Sequence, residues 1–337
     1  MRKTWSLFIF SIMLVSVVGC SSDKSNASEE AETPFPERSL TAIIPFGAGG
    51  SSDTVARMIA PQAEKHLGKS IVLQNNPGGT GAVATQNVLS KPADGYTLLI
   101  AAENQNLYRT TGISEASFND FIPIIQLGRD VPVVVTQPKS NWNSISDLLD
   151  EAEQRPGEIK IMSTGPVGVS GIVTAMLDRE FLTVPYDSAG AGIAGVIGEH
   201  VDVGIIGLSA AREYAESGKV KVLGVVNETK LDDFPDWPAL GEERPEYNKH
   251  LPWGPYYGVY VKKDTPQPIV DKLVDSFTKG YKEEEFQEFL KKNATVPMGY
   301  TGSEALDFQQ TWESQTNWLL FDVGVAEDPS KYDIPKP

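Results

Sequence analysis

The sequence predicts an α/β fold divided into two lobes, on three observations. Short β-branched apolar runs alternate with helix-like segments along most of the chain, the pattern of βα units packed on largely parallel sheets. About 300 residues follow the N-terminal region, enough for two separate cores rather than one. Glycine-rich turns follow several of the strands, at the carboxyl ends where open α/β sheets bind their ligands.

The chain opens with Arg2 and Lys3, then an apolar run over 7–18 that ends at Gly19-Cys20. That run is shorter than the ~20 residues needed to cross a bilayer core and suits the apolar part of a signal peptide. Val17-Val18-Gly19-Cys20 resembles a lipobox, in which the cysteine is acylated and becomes the new N-terminus; the competing reading is a cysteine beside an ordinary cleavage site. Cys20 is the only cysteine of 337 residues, which rules out a disulfide framework and a cysteine-based metal site and leaves attachment as its role. Residues 1–19 are therefore expected to be a signal peptide, and 20–34, rich in Ser, Asn and Glu without apolar periodicity, a lipidated flexible tether. The expected location is extracytoplasmic, lipid-anchored to the cell membrane.

Loss of Arg2 and Lys3 takes the formal charge from −16 to −18. Such a surface repels nucleic acid and gains nothing from anionic lipid. It also repels an acidic ligand at long range, so an anion site must be built from local, directed donors.

Strands are expected over 40–46, 70–74, 96–102, 131–136, 159–163, 183–186, 201–206 and 220–226, and helices over 53–66, 80–90, 144–154, 170–180, 190–198 and 209–217. The C-terminal third reads as helices without intervening strands, packed on the first lobe.

Three turns carry chemistry. In IIPFGAGGSSD, over 43–53, a buried strand passes through three glycines into a helix. Glycine permits left-handed backbone that aims consecutive N–H groups at one point, and the helix start adds unsatisfied donors and a positive dipole end. Phe46, Gly49, Gly50, Ser51, Ser52 and Asp53 are candidates for gripping a carboxylate, with Asp53 equally readable as a helix cap. NNPGGTG, over 75–81, repeats the geometry and offers Asn76 and Gly79, against the alternative of a plain connecting turn. STGPVGVSG, over 163–171, offers Thr164, Gly168 and Ser170, and its spacing does not match a G-x-S-x-G nucleophile elbow. Neither a dinucleotide fingerprint nor a phosphate loop ending in G-K-[ST] is present. His66, His200 and His250 stand singly, without metal-ligand spacing or a neighbouring acid. Binding without catalysis is expected, with no cofactor and no metal.

An ordered series of segments resembles the tripartite tricarboxylate transporter receptors, the TctC or Bug-type solute-binding proteins. It comprises IIPFGAGGSSDTVAR, NNPGGTGAVAT, KPADGYTLL at 91–99, IIQLGRDVPVVV at 124–135, STGPVG at 163–168, VPYDSAGAG at 184–192, GEHVDVGI at 198–205, KVLGVVNETKLDDFPDWPALGE at 221–242 and VYVKKDTPQPIVDKL at 259–273. The resemblance implies a two-lobed periplasmic-binding-protein fold of the flytrap type (type II), with two crossovers. Lobe 1 would hold 35–125 plus 253–330, and lobe 2 would hold 126–252. It further implies that Tyr186, Ala189 and Ser209 face the first two turns across a cleft where backbone N–H groups hold a small di- or tricarboxylate. The partners implied are a large and a small membrane subunit of a permease, with the receptor itself a monomer. A sensory protein presenting the same ligand to a receptor kinase is the alternative. A racemase or hydrolase would need a pair of titratable groups on the cleft, and the two-thiol racemase chemistry is excluded by the single cysteine. Two departures stand in lobe 2. Members often carry G-S-x-x-H where this chain reads Gly168-Val169-Ser170-Gly171-Ile172, and many carry Asp or Asn where Gly207 stands. A ligand smaller or less polar at its far end is expected from both.

Overall fold

The computed structural model describes residues 35–337, so the expected signal peptide, the tether and Cys20 lie outside the described residues. The chain enters through β1 (Leu40–Ile44), α1 (Ser51–Leu67), β2 (Ile71–Asn75), α2 (Ala82–Leu89), β3 (Thr97–Ala101) and β4 (Phe121–Arg129). It then crosses at Asp130 to a second sheet. There β5 (Pro132–Thr136), α3 (Ile145–Gln154), β6 (Lys160–Ser163), α4 (Val169–Leu177), β7 (Leu182–Pro185), α5 (Ala189–Ile197), β8 (Val203–Gly207), α6 (Leu208–Glu216), β9 (Lys221–Val225) and α7 (Leu240–Glu243) follow one another. A second crossing returns it to the first lobe, where β10 (Tyr256–Lys262), α8 (Gln267–Tyr281), α9 (Glu284–Lys292), β11 (Val296–Tyr300) and α10 (Gly302–Asp322) complete the fold. The sheet orders are β11-β4-β10-β3-β1-β2 and β7-β6-β8-β5-β9.

The structure corrects three expectations. The sheets are mixed rather than largely parallel: β10 runs antiparallel to β3 and β4, β11 to β4, and β5 to β8 and β9. Each crossing brings the chain into a sheet as one reversed strand, β5 on the way out and β10 on the way back. The C-terminal helices are interrupted by β11, whose Pro297 and left-handed Gly299 disguise it in sequence and are tolerated because it is an edge strand. β4 also runs through to Arg129, so the passage between lobes comes later than the 125/126 boundary. Pro123 hides this strand. It lies beyond the stretch of β4 that pairs with β11, at a register shift opposite Tyr260.

Packing of α1 on α8 closes one face of the first sheet. Ala56, Ile59, Ala60 and Ala63 of α1 share a buried cluster with Leu273 and Phe277 of α8. The two helices touch backbone to backbone, since a Cβ on Gly280 would stand 2.6 Å from the Ala63 nitrogen. Alanine at 280 gains about 1 kcal/mol of helix propensity, yet overpacking costs typically 1–3 kcal/mol. Gly280→Ala is therefore expected to lower the urea midpoint, in spite of its better helix former.

Candidate functional site

The loop between β1 and α1 is shaped by Asp53, which stands in the first turn of the helix. Its carboxylate accepts from the Gly49 amide at 3.0 Å, from Asn75 Nδ2 at 2.9 Å and from Arg57 Nε at 2.9 Å. Asn75 Nδ2 also donates to the Phe46 carbonyl at 2.9 Å, so the strand end of β2 is tied to the same loop. Gly49 takes φ 79°, the left-handed turn the glycine run predicts. Burial pushes the Asp53 carboxyl up, but the bonds from Arg57, Gly49 and Asn75 outweigh it and hold the group below its usual range. A lowered folded value stabilises above the unfolded carboxylate range and is lost as pH falls through it, so the loop is set at neutral pH and loosens in acid.

The opposite wall comes from the second lobe. The Ser170 hydroxyl accepts from the Thr164 amide at 2.9 Å, which folds the 164–168 turn back on the start of α4. Ser188 caps α5 by accepting from the Ala191 amide at 3.2 Å. Bonds run between the lobes: Gly47 N–H to the Asp187 carbonyl at 3.3 Å, Ser188 Oγ to the Ala48 carbonyl at 3.5 Å and, buried beside the cavity, Asn104 Nδ2 to the Val167 carbonyl at 2.5 Å.

Between the lobes lies a cavity of about 50 Å³, small in a protein where one water needs roughly 10–15 Å³. The starts of α1 (Ser51, Ser52), α4 (Val169) and α5 (Ala189) all reach it. The first turn of each helix carries amides with no partner of their own and the positive end of its dipole, so the cavity favours a negative group. No lysine, arginine or histidine lines it. Met162, Val169, Ile205 and Ile206 make the second lobe's share of the wall apolar.

Of the residues singled out in sequence, Phe46, Gly50, Ser51, Ser52, Thr164, Gly168 and Ala189 line this cavity. Gly49, Asp53 and Ser170 do not; they hold the loops that do. Asn76 and Gly79 sit in a turn whose Thr80 presses on Gly165 across the cleft, outside the lining. Tyr186 packs over Gly195. Ser209 is turned away: its amide and hydroxyl bond Asp130 at 3.3 and 2.6 Å, and it borders a separate groove with Thr54 and Arg212.

Sequence reasoning missed Glu103, Asn104 and Tyr257 in the lining, and Asp130 behind it. Glu103 and Asn104 follow the end of β3 after one intervening residue, so the rule that placed the other turns at strand ends also reaches them. Asp130 is wholly buried and accepts from the Val131 amide (2.9 Å), both donors of Ser209 and the Tyr257 hydroxyl (3.1 Å). Its carboxylate explains Gly207, where a Cβ would stand 2.1 Å from Asp130 Oδ2. Among the described residues, no group of three or more His, Cys, Asp or Glu is placed to hold a metal ion.

Two mixed sheets joined by two crossings, with a small cavity between them at their strand ends, make the fold of the two-lobed periplasmic binding proteins. The chain belongs to the family described as "Tripartite tricarboxylate transporter family receptor", whose profile it matches over residues 55–318. It is similar to protein BugT of Bordetella pertussis, with 28% identity over 246 residues that cover 70% of this chain and 74% of that protein. Its fold is similar to that of the periplasmic binding protein BugD (TM-score 0.81, 24% identity, 87% of this chain and 100% of the other). It is likewise similar to that of MatC from Rhodopseudomonas palustris with bound malate (TM-score 0.77, 22% identity, 86% and 100%). Family members and structural neighbours are extracytoplasmic solute-binding proteins rather than enzymes. No helix among the described residues is long and apolar enough to cross a membrane.

Proposed function

We propose that this chain is the receptor of a tripartite transporter, capturing a small carboxylate between its lobes and delivering it to a permease of one large and one small membrane subunit. The observation that carries this reading is the convergence of three helix N-termini on a cavity without a basic side chain. Backbone N–H groups of Ser51 and Ser52 on one lobe and of Val169 and Ala189 on the other serve as the carboxylate donors. Only the closed arrangement brings both sets to one ligand, so binding stabilises closure. That a similarly folded receptor holds malate supports a carboxylate as the ligand class. The lipobox at Cys20 supports a lipid anchor that keeps the receptor, a monomer, beside its permease. Apolar walls on the second lobe favour a ligand smaller or less polar than citrate.

A thermal-shift panel of carboxylates tests the reading, since a ligand at 100 times its Kd adds ~2.7 kcal/mol to the folded state. A Cβ at position 50 would stand 3.8 Å from Ala189 N, so the branched methyls of Gly50→Val are expected to prop the cleft open and abolish the shift while the protein stays folded. A Gly50→Val protein that binds as the parent does removes the first loop from the site.

A further inference from the structure

Three acceptor atoms of the cavity residues have nothing to accept. Both carboxyl oxygens of Glu103 and the Oδ1 of Asn104 are buried without a hydrogen-bond partner in the chain. Glu103 is 0% exposed and Asn104 2%, and both line the cavity. The Asn104 amide cannot be turned to make its free atom a donor, because its Nδ2 is committed to the Val167 carbonyl at 2.5 Å. Buried acceptors left unpaired are costly, and a buried carboxylate without a counter-charge more so. No cation of the chain lines the cavity to supply one.

We propose that the ligand itself supplies those donors: it carries a cationic ammonium group beside its carboxylate, seated on Glu103 and Asn104, and is thus a small amino acid-type zwitterion. An ammonium brings three N–H donors and one positive charge. That matches three free acceptors and one uncompensated carboxyl. Its carboxylate then lies at the helix starts of Ser51, Ser52, Val169 and Ala189, and the cavity has one pole for each end. This rests on the carboxylate-binding reading and names the class of ligand within it.

Glu103 is faced by Asp130 and by the hydroxyls of Tyr108, Tyr256, Tyr257 and Tyr260, and by no basic group among those that shift it. Burial, with the Asp130 charge adding to it, pushes the Glu103 carboxyl up to about 8; the amides of Glu103 and Tyr256 pull the other way without closing a well-formed hydrogen bond. At pH 7 the free protein thus holds Glu103 largely protonated, and an ammonium ligand expels that proton.

Matched pairs that differ only in the nitrogen, L-aspartate against L-malate and L-alanine against L-lactate, within a panel of the common amino acids, test the inference by calorimetry in two buffers of different ionisation enthalpy. Expected are at least tenfold tighter binding of the amine member, release of close to one proton per ligand at pH 7, and collapse of the amine preference toward one in Glu103→Gln. Tighter binding of the hydroxy acid, with affinity falling as pH rises through 8, overturns the proposal in favour of a protonated Glu103 donating to a second carboxylate. A panel in which no amine-bearing acid binds overturns it too. The Gly50→Val protein separates the two readings: loss of binding for both members of a pair keeps the carboxylate cradle even where the amine preference fails.

Discussion

Asp130→Ala is expected to destabilise the protein, by about 1–3 kcal/mol for each buried donor it leaves without an acceptor. The carboxylate sits where the chain leaves the first sheet and gathers donors from three places: Val131 beside it, Ser209 at the start of α6 in the second lobe, and Tyr257 on β10 in the first. Alanine leaves the Ser209 amide and hydroxyl and the Tyr257 hydroxyl without an acceptor inside the protein. In the parent these donors are shielded from bulk water, with Asp130 0% exposed and Tyr257 2%. Asn at 130 keeps one carbonyl oxygen and can donate to hydroxyls, so it should cost distinctly less. Urea unfolding of the two variants checks the order. Equal losses would mean that volume rather than hydrogen bonding decides the effect. The hinge should feel the change as well, since Asp130 ties the outward crossing to the returning strand.

Glu103→Gln is expected to act in the opposite direction and to depend on pH. With its folded value raised from 4.5 to about 8, the native protein binds the Glu103 proton more tightly than the unfolded chain does. Stability therefore falls as pH rises between those values, by about 1.36 kcal/mol per pH unit and up to about 5 kcal/mol in all. Below pH 4.5 both states hold the proton and the residue is neutral in effect. Glutamine keeps the shape and removes the charge, so without ligand the variant should match the parent near pH 4.5 and exceed it by several kcal/mol at pH 8. Melting curves across that range read the difference directly. A parent protein whose midpoint is flat from pH 5 to 8 would show that Glu103 gives up its proton as readily in the fold as in the unfolded chain.

The βα repeats of both lobes were legible because the strands are short apolar runs, several of them closed by a glycine turn, as in Ile43 to Gly50 or Ile161 to Gly168. Three strands escaped. Two carry a proline, and the third, YYGVYVK, reads as neither alternating nor uniformly aliphatic because it is buried on both faces among aromatic neighbours. In the cleft, the loops between β1 and α1 and between β6 and α4 that line the cavity could be read from glycine spacing and helix starts alone. The side chains behind them could not. Asp130 and Tyr257 are separated by 127 residues and meet only because two crossings lie side by side. Glu103 looked like one acid among forty-five acidic residues on a charged chain, and nothing in its neighbours shows that the fold withholds every counter-ion from it.

Main-chain groups accept every bond between the facing loops, through the carbonyls of Ala48, Val167 and Asp187, and the Gly47 amide donates one of them. Mutation cannot delete a peptide group, and the side-chain part of the latch falls to two residues, Ser188 and Asn104, which donate to the Ala48 and Val167 carbonyls. Evolution can then retune the guest through the walls, at positions such as 103, 162 and 205–206, without relearning how to shut the door.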